Sequence, residues 1–235
     1  MPRKDLWSRE ELIVTLALYF QLPFGRLNHG TPEVKALAAI MGRTDNSVAI
    51  RLTNFAACDP YIINSGRHGM SAGVKVCQPI WDEFCNDKER LFLEAEIIKS
   101  KMTKQPIEKV LHISEANLQG KDRESVVKQR VNQNVFRTMI LNNYESTCAI
   151  TGINIPSMLI ASHIIPWADD EENRLNPENG IFYPHFMTKH LIKAILPSLQ
   201  TIIGYVYLRP CWNMKARNTS TNTLALFQEG RSLYQ

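Results

Sequence analysis

Residues 133–180, QNVFRTMILNNYESTCAITGINIPSMLIASHIIPWADDEENRLNPENG, carry the reading of the fold. Val135, Phe136, Ile140 and Leu141 continue a helical period that already includes Val127 and Val131, so a helix is expected over 123–144. A turn at 148–152 follows. Residues 158–165 then form a β-branched run interrupted by Ser162-His163. A loop rich in Asn, Asp, Glu and Pro leads on to Asn179-Gly180, a dipeptide favoured in tight turns. A strand bearing one histidine, a loop, and a second strand entered through Asn-Gly make a β-hairpin. Taken singly, a histidine on an apolar strand is more often a packed core residue, and Cys148 a small buried hydrophobe. The ordered constellation is what points to chemistry.

That constellation closely resembles the HNH endonucleases, in the bacterial branch that is similar to restriction enzymes. Its pattern Q..FR..IL..Y...C.ITG is met by Gln133, Phe136, Arg137, Tyr144, Cys148, Thr151 and Gly152, and its pattern ASHI.PW....NRL.P.NG by Ser162, His163, Trp167, Asn173, Arg174, Asn179 and Gly180. The resemblance implies an α+β chain in which a ββα-metal domain grips one divalent cation, usually Mg²⁺, against the scissile phosphate of double-stranded DNA. It makes His163 the expected general base, because an imidazole titrating near neutrality can take a proton from water at physiological pH. Asn179 is expected to hold the hairpin and the base loop in register through its amide. Cys148, Thr151, Gly152, Trp167 and Arg174 are motif positions with structural duties. Ser162 stands where many relatives carry a metal-binding Asp or His, so the metal ligands stay unassigned.

Past Gly180 the resemblance breaks. The family continues L.L...HD.AFD.G, and the place of its helix-borne histidine is taken by Met187, in IFYPHFMTKHLIKA. In the frame that starts at the third base of the Pro184 codon, the codon junctions permit His-Asp-Lys-Ala-Phe-Asp-Lys-Gly at the family's spacing. Loss of one T from a run such as TTT TTA TCC GCA would yield Phe182, Tyr183 and Pro184 as they stand. The nuclease domain is therefore expected over 125–182 and incomplete, its final α element lost, with 183–235 an aberrant, out-of-frame tail. On this reading His185 and His190 are not ligands. Residues 183–235 hold six bases against one acid, Glu229, which leaves 21 bases and 22 acids in 1–182. The formal charge of +4 belongs to the tail and is no footprint for nucleic acid.

Upstream, Ser8-Arg-Glu-Glu11 is a capping box that predicts a helix to residue 21 with one buried face. Thr31-Pro32 announces a second helix ending at Met41-Gly42, and a third starts at Thr44. This trihelical, helix-turn-helix-like unit sits in an N-terminal helical domain over 1–102. Arg43, Asn46, Ser47, Arg51 and Asn54 are expected on its third helix. Arg43, Asn46 and Arg51 are candidates to contact DNA there, since Arg and Asn can pair with guanine and adenine edges. A plain solvated helix face is the alternative. Residues 61–78 read as loop, a helix is expected from Pro79 to about 101, and 103–124 reads as linker.

The remaining composition narrows the classes. With 44% hydrophobic and 21% charged residues the chain can bury a core, which excludes disorder throughout. Five cysteines without a CxxC pair, and an N-terminus without an apolar signal core, point to a reducing cytoplasm and disfavour a zinc-stabilised module. The apolar stretch 190–208 is broken by Lys193, Pro197 and Gln200, which argues against a membrane span. Besides the nuclease reading, a non-catalytic DNA-binding protein acting through the N-terminal helices fits the same sequence. The oligomeric state has no sequence signal.

Overall fold

The computed structural model describes residues 6–111, 113, 120–148, 150–171 and 173–187. α1 (Arg9–Gln21) begins where the capping box places it. The Ser8 hydroxyl accepts from the Glu11 N–H at 3.2 Å, and the Glu11 carboxylate accepts from the Ser8 N–H at 2.8 Å. α2 (Pro32–Met41) closes on Gly42 in the left-handed region, and α3 (Asp45–Ala56) is capped by Thr44. The expectation of a single buried face on α1 is corrected: Leu12, Ile13, Val14, Leu16, Ala17 and Tyr19 are all buried. The reason lies in sequence-distant helices. α5 (Val74–Phe84) and α6 (Lys88–Thr103) pack on α1 along with α2 and α3, so α1 forms the middle of a larger helical body.

Three further readings change in the middle of the chain. The expected loop at 61–78 contains α4 (Pro60–Asn64), capped by Asp59, and the first turn of α5. Asp59-Pro60 is the same cap-then-proline signal as Thr31-Pro32. Pro79 lies inside α5 rather than at its start, and the helix persists because Cys77, Ile80, Trp81 and Phe84 bury one side of it. The single helix expected from Pro79 onward is two, since the chain turns at 85–87 and Asp87 caps α6 by accepting from the Arg90 N–H at 3.1 Å. Within the expected linker, α7 (Ile107–Val110) forms, and α8 (Gly120–Asn143) starts before residue 124.

α8 joins the two halves. Val127, Val131, Phe136, Met139 and Ile140 are buried along it, and it packs against α1 and α6 as well as against a two-stranded antiparallel sheet of β1 (Leu159–His163) and β2 (Gly180–Pro184). Its C-terminal Asn142 donates to the Gln21 carbonyl at 2.7 Å and accepts from Arg26 at 2.6 Å. One continuous apolar core therefore runs through both expected domains. The hairpin register pairs His163 with Gly180 and Leu159 with Pro184. Gly180 is dictated by packing: a Cβ there would lie 2.0 Å from Ile140 Cδ1. Tyr183 and Pro184, the first residues of the expected aberrant tail, continue β2 and are buried. The place of the final α element and His190 lie outside the described residues. Among the described residues no helix is long and apolar enough to cross a membrane.

Candidate nuclease site

The 148–152 turn is built by its own residues. Cys148 is buried, and its Sγ accepts from the N–H groups of Ile150 at 3.3 Å and Thr151 at 3.2 Å. The Cys148 carbonyl accepts from the Gly152 N–H, and Gly152 adopts a φ of 71° that only glycine takes without strain. This turn reverses the chain after α8 so that β1 can lie back across it. Arg137 on α8 then fastens the start of β1, donating to the Leu159 and Pro156 carbonyls, each at 2.8 Å.

His163 ends β1 on the face that meets α8. Its ring stacks on Phe136 with centroids 3.7 Å apart and planes 10° from parallel, and the Trp167 ring meets it edge-on at 5.4 Å. Nε2 lies 2.8 Å from the Arg174 carbonyl oxygen. A carbonyl only accepts, so Nε2 must carry the proton, and in the neutral ring the lone pair is left on Nδ1. Burial between the aromatic rings pushes the imidazole pKa below its ordinary value, against the opposing pull of the Arg174 hydrogen bond. The ring is thus held in the neutral form that a general base requires.

Asn179 stands at the foot of the hairpin with both ends of its amide engaged. Its Oδ1 accepts from the Ile165 N–H at 2.7 Å, while Nδ2 donates to the Ile165 carbonyl at 3.2 Å. The two ends of the 164–179 loop are clasped together at the foot of the hairpin. Inside the loop, Asn173 bonds Asp170 and Asn176 bonds Asn173. The Arg174 guanidinium donates to the Trp167 carbonyl at 2.9 Å and lies over the Trp167 ring at 5.1 Å. Arg174 therefore sets both Trp167, with its side chain, and His163, with its backbone.

A groove of about 810 Å³ opens beside His163, between α8 and the hairpin, bounded by Gln133, Arg137, Ser162, Trp167 and His185 among others. The sequence reasoning missed Gln129 and Asn134, which also line it. The available signals were the four-residue spacing of Gln129 from Gln133 and the adjacency of Asn134 to it. Among the described residues no carboxylate lines the groove, and no three His, Cys, Asp or Glu side chains come together as a metal site. Mg²⁺ demands an oxygen-rich octahedral shell that usually includes a carboxylate. The described residues do not fit that cation.

Of the N-terminal candidates, Asn46, Ser47, Arg51 and Asn54 lie on α3 as expected, and Arg43 does not. Arg43 precedes α3 instead of lying on it, because Thr44 caps the helix. Its guanidinium pairs with Glu11 at 2.6 Å and stacks over Trp7 at 4.3 Å. Arg51 covers the Trp7 ring at 4.8 Å and donates weakly to Cys77 Sγ. Asn54 is buried and donates to the Met70 carbonyl at 2.7 Å, tying down the 66–70 segment, so it is not on an open face of α3. Asn46 is exposed.

Residues 148–200 match the family model described as HNH endonuclease. The match begins at Cys148, takes in His163 and Asn179, and runs past Met187. No curated protein and no solved structure matches the chain.

Proposed function

We propose that the chain is an HNH-type DNA endonuclease, hydrolysing phosphodiester bonds in the groove beside His163. The observation that carries the reading is the state of His163, whose proton is committed to the Arg174 carbonyl on one nitrogen and whose burial favours the neutral ring. The HNH match across the same residues supports it. In the step, His163 Nδ1 takes a proton from water as the water oxygen bonds to phosphorus. The bond from phosphorus to the leaving ester oxygen breaks, that oxygen takes a proton from solvent, and His163 returns its own proton to solvent. Asn179 positions rather than reacts, holding the loop that carries the Arg174 carbonyl.

HNH nucleases generally depend on a divalent metal, and Mg²⁺ is the cation the resemblance implied. Because the described residues do not fit it, no part of the step is routed through a cation. Double-stranded DNA as substrate, a bacterial cytoplasm as setting, and Arg43, Asn46 and Arg51 as N-terminal DNA contacts belong to the same proposal. So does the out-of-frame origin of 183–235. The test is a nicking assay on supercoiled plasmid with the full chain and His163→Ala. Metal-stimulated cleavage lost in the variant supports the reading, whereas equal cleavage by both removes His163 as the base.

A further inference from the structure

Among the described residues that line the groove, Arg137 is a cation without a carboxylate partner, its guanidinium lying over the Phe182 ring at 5.7 Å. Arg9, Arg26, Arg43, Arg90, Arg123 and Arg174 each pair with a glutamate. Arg137 differs: both of its bonded nitrogens donate to neutral backbone carbonyls, and among the described residues no carboxylate lies within ion-pair distance. Its guanidinium is fixed by these bonds and half-buried. Gln129 and Gln133 precede it at intervals of four on α8, so the three side chains form one row along the helix. Asn134 lies next to that row, and all three amides are exposed.

We propose that this row binds a DNA strand without help from a divalent cation, Arg137 supplying the charge and Gln129, Gln133 and Asn134 the hydrogen bonds. The proposal rests on the nuclease reading and deepens it by naming the wall of the groove that holds the substrate. Where carboxylates surround a scissile phosphate, like charges repel until a cation bridges them. Here no carboxylate of the described residues lines the groove and Arg137 does, so the phosphate chain meets a positive charge from the outset. Amides both donate and accept, so they suit phosphate and sugar oxygens as well as base edges. Binding and hydrolysis thereby separate: the strand is held by α8, whatever the chemistry at His163 requires.

The experiment is fluorescence anisotropy of a short labelled DNA duplex titrated with the full chain at low salt, in EDTA and again in Mg²⁺. Equal affinity in both is expected. Combined Gln129→Ala, Gln133→Ala and Asn134→Ala should weaken it about tenfold with an unchanged melting midpoint, because the three side chains are exposed. Arg137→Gln should flatten the slope of log affinity against log salt by about 1. Binding that appears only with Mg²⁺ overturns the proposal. Wild-type binding with an unchanged triple variant also overturns it and leaves the nuclease reading standing, whereas no binding in either buffer removes both. The triple variant decides the matter even if Arg137→Gln fails to fold.

Discussion

Arg43 of the N-terminal body and Arg137 beside the hairpin look alike as letters and differ in what surrounds them. Arg43 and Arg51 enclose Trp7 from two sides, and Arg43 is also neutralised by Glu11. Arg137 donates to neutral carbonyls, lies over the Phe182 ring at 5.7 Å, and opens onto a groove that no carboxylate of the described residues lines. An arginine stacked on an indole and paired with a carboxylate has its charge and planar face already engaged, so it holds elements together. One without a carboxylate partner, held by backbone dipoles and a ring face, has no counter-charge to compete with a ligand. Helix-turn-helix spacing alone does not separate these cases, because the residues that neutralise a cation come from other elements.

The largest expected effect falls on the hairpin side. His163→Ala should lower metal-stimulated cleavage by about 10²–10⁴-fold, the usual worth of a positioned general base, and leave duplex affinity nearly unchanged. Plasmid nicking beside anisotropy measures both, and comparable cleavage by the variant would sink the assignment. Next, inserting one T into the Phe182 codon run should encode Phe-Leu-Ser-Ala-Phe-His-Asp-Lys-Ala-Phe-Asp and raise cleavage roughly a hundredfold, through a helix-borne ligand that Met187 cannot replace. A stop codon soon after the insertion, or an edited chain that cuts no better, rejects the out-of-frame origin.

Smaller effects test the packing. Gly180→Ala drives a methyl group into Ile140 and Phe136 and should cost about 1–3 kcal/mol in urea unfolding, with the hairpin lost before the N-terminal helices. An unchanged midpoint would show that α8 does not press on the hairpin.

The pH dependence has a definite sign. His163 titrates below its ordinary value of 6.5 when folded, so the rate should rise with pH through a point under 6.5 and level off by neutrality. Stability follows the same direction. The unfolded chain takes up the proton more readily, so this contribution is full above 6.5 and falls as pH drops below it. Phe136→Leu uncovers one ring face and should move the acid limb of the rate profile up toward 6.5. An acid limb that stays in place would show that stacking on Phe136 does not supply the burial.

The smallest effect sharpens the N-terminal side. If Arg51 reaches a guanine edge, Arg51→Ala costs about 1–3 kcal/mol in duplex affinity. Its place over Trp7 instead predicts about 0.5–1 kcal/mol in stability, with little change in binding. Thermal melts and anisotropy on the same variant distinguish these outcomes.

Local signals were legible where the partners are near in sequence. The capping box at Ser8, Gly42 after α2, Thr44 before α3, and the strands around His163 all follow from neighbouring residues acting on one another. The missed elements have local causes too. Asp59-Pro60 starts α4, and α5 tolerates Pro79 because its buried face outweighs one absent hydrogen bond.

The sequence by itself determined the helices that carry their own caps, the hairpin with its histidine, and the asparagine that closes its loop. These depend on backbone preferences and on residue types at fixed short spacing. Only the tertiary structure decided which nitrogen of His163 bears the proton, that Gly180 must lack a Cβ beneath Ile140, and which arginines keep their charge. Each of these depends on atoms brought together across the fold: the Arg174 carbonyl, the crossing of α8, and the indole of Trp7. A side chain's chemistry is set by its neighbours in space, and folding chooses most of those from distant parts of the chain.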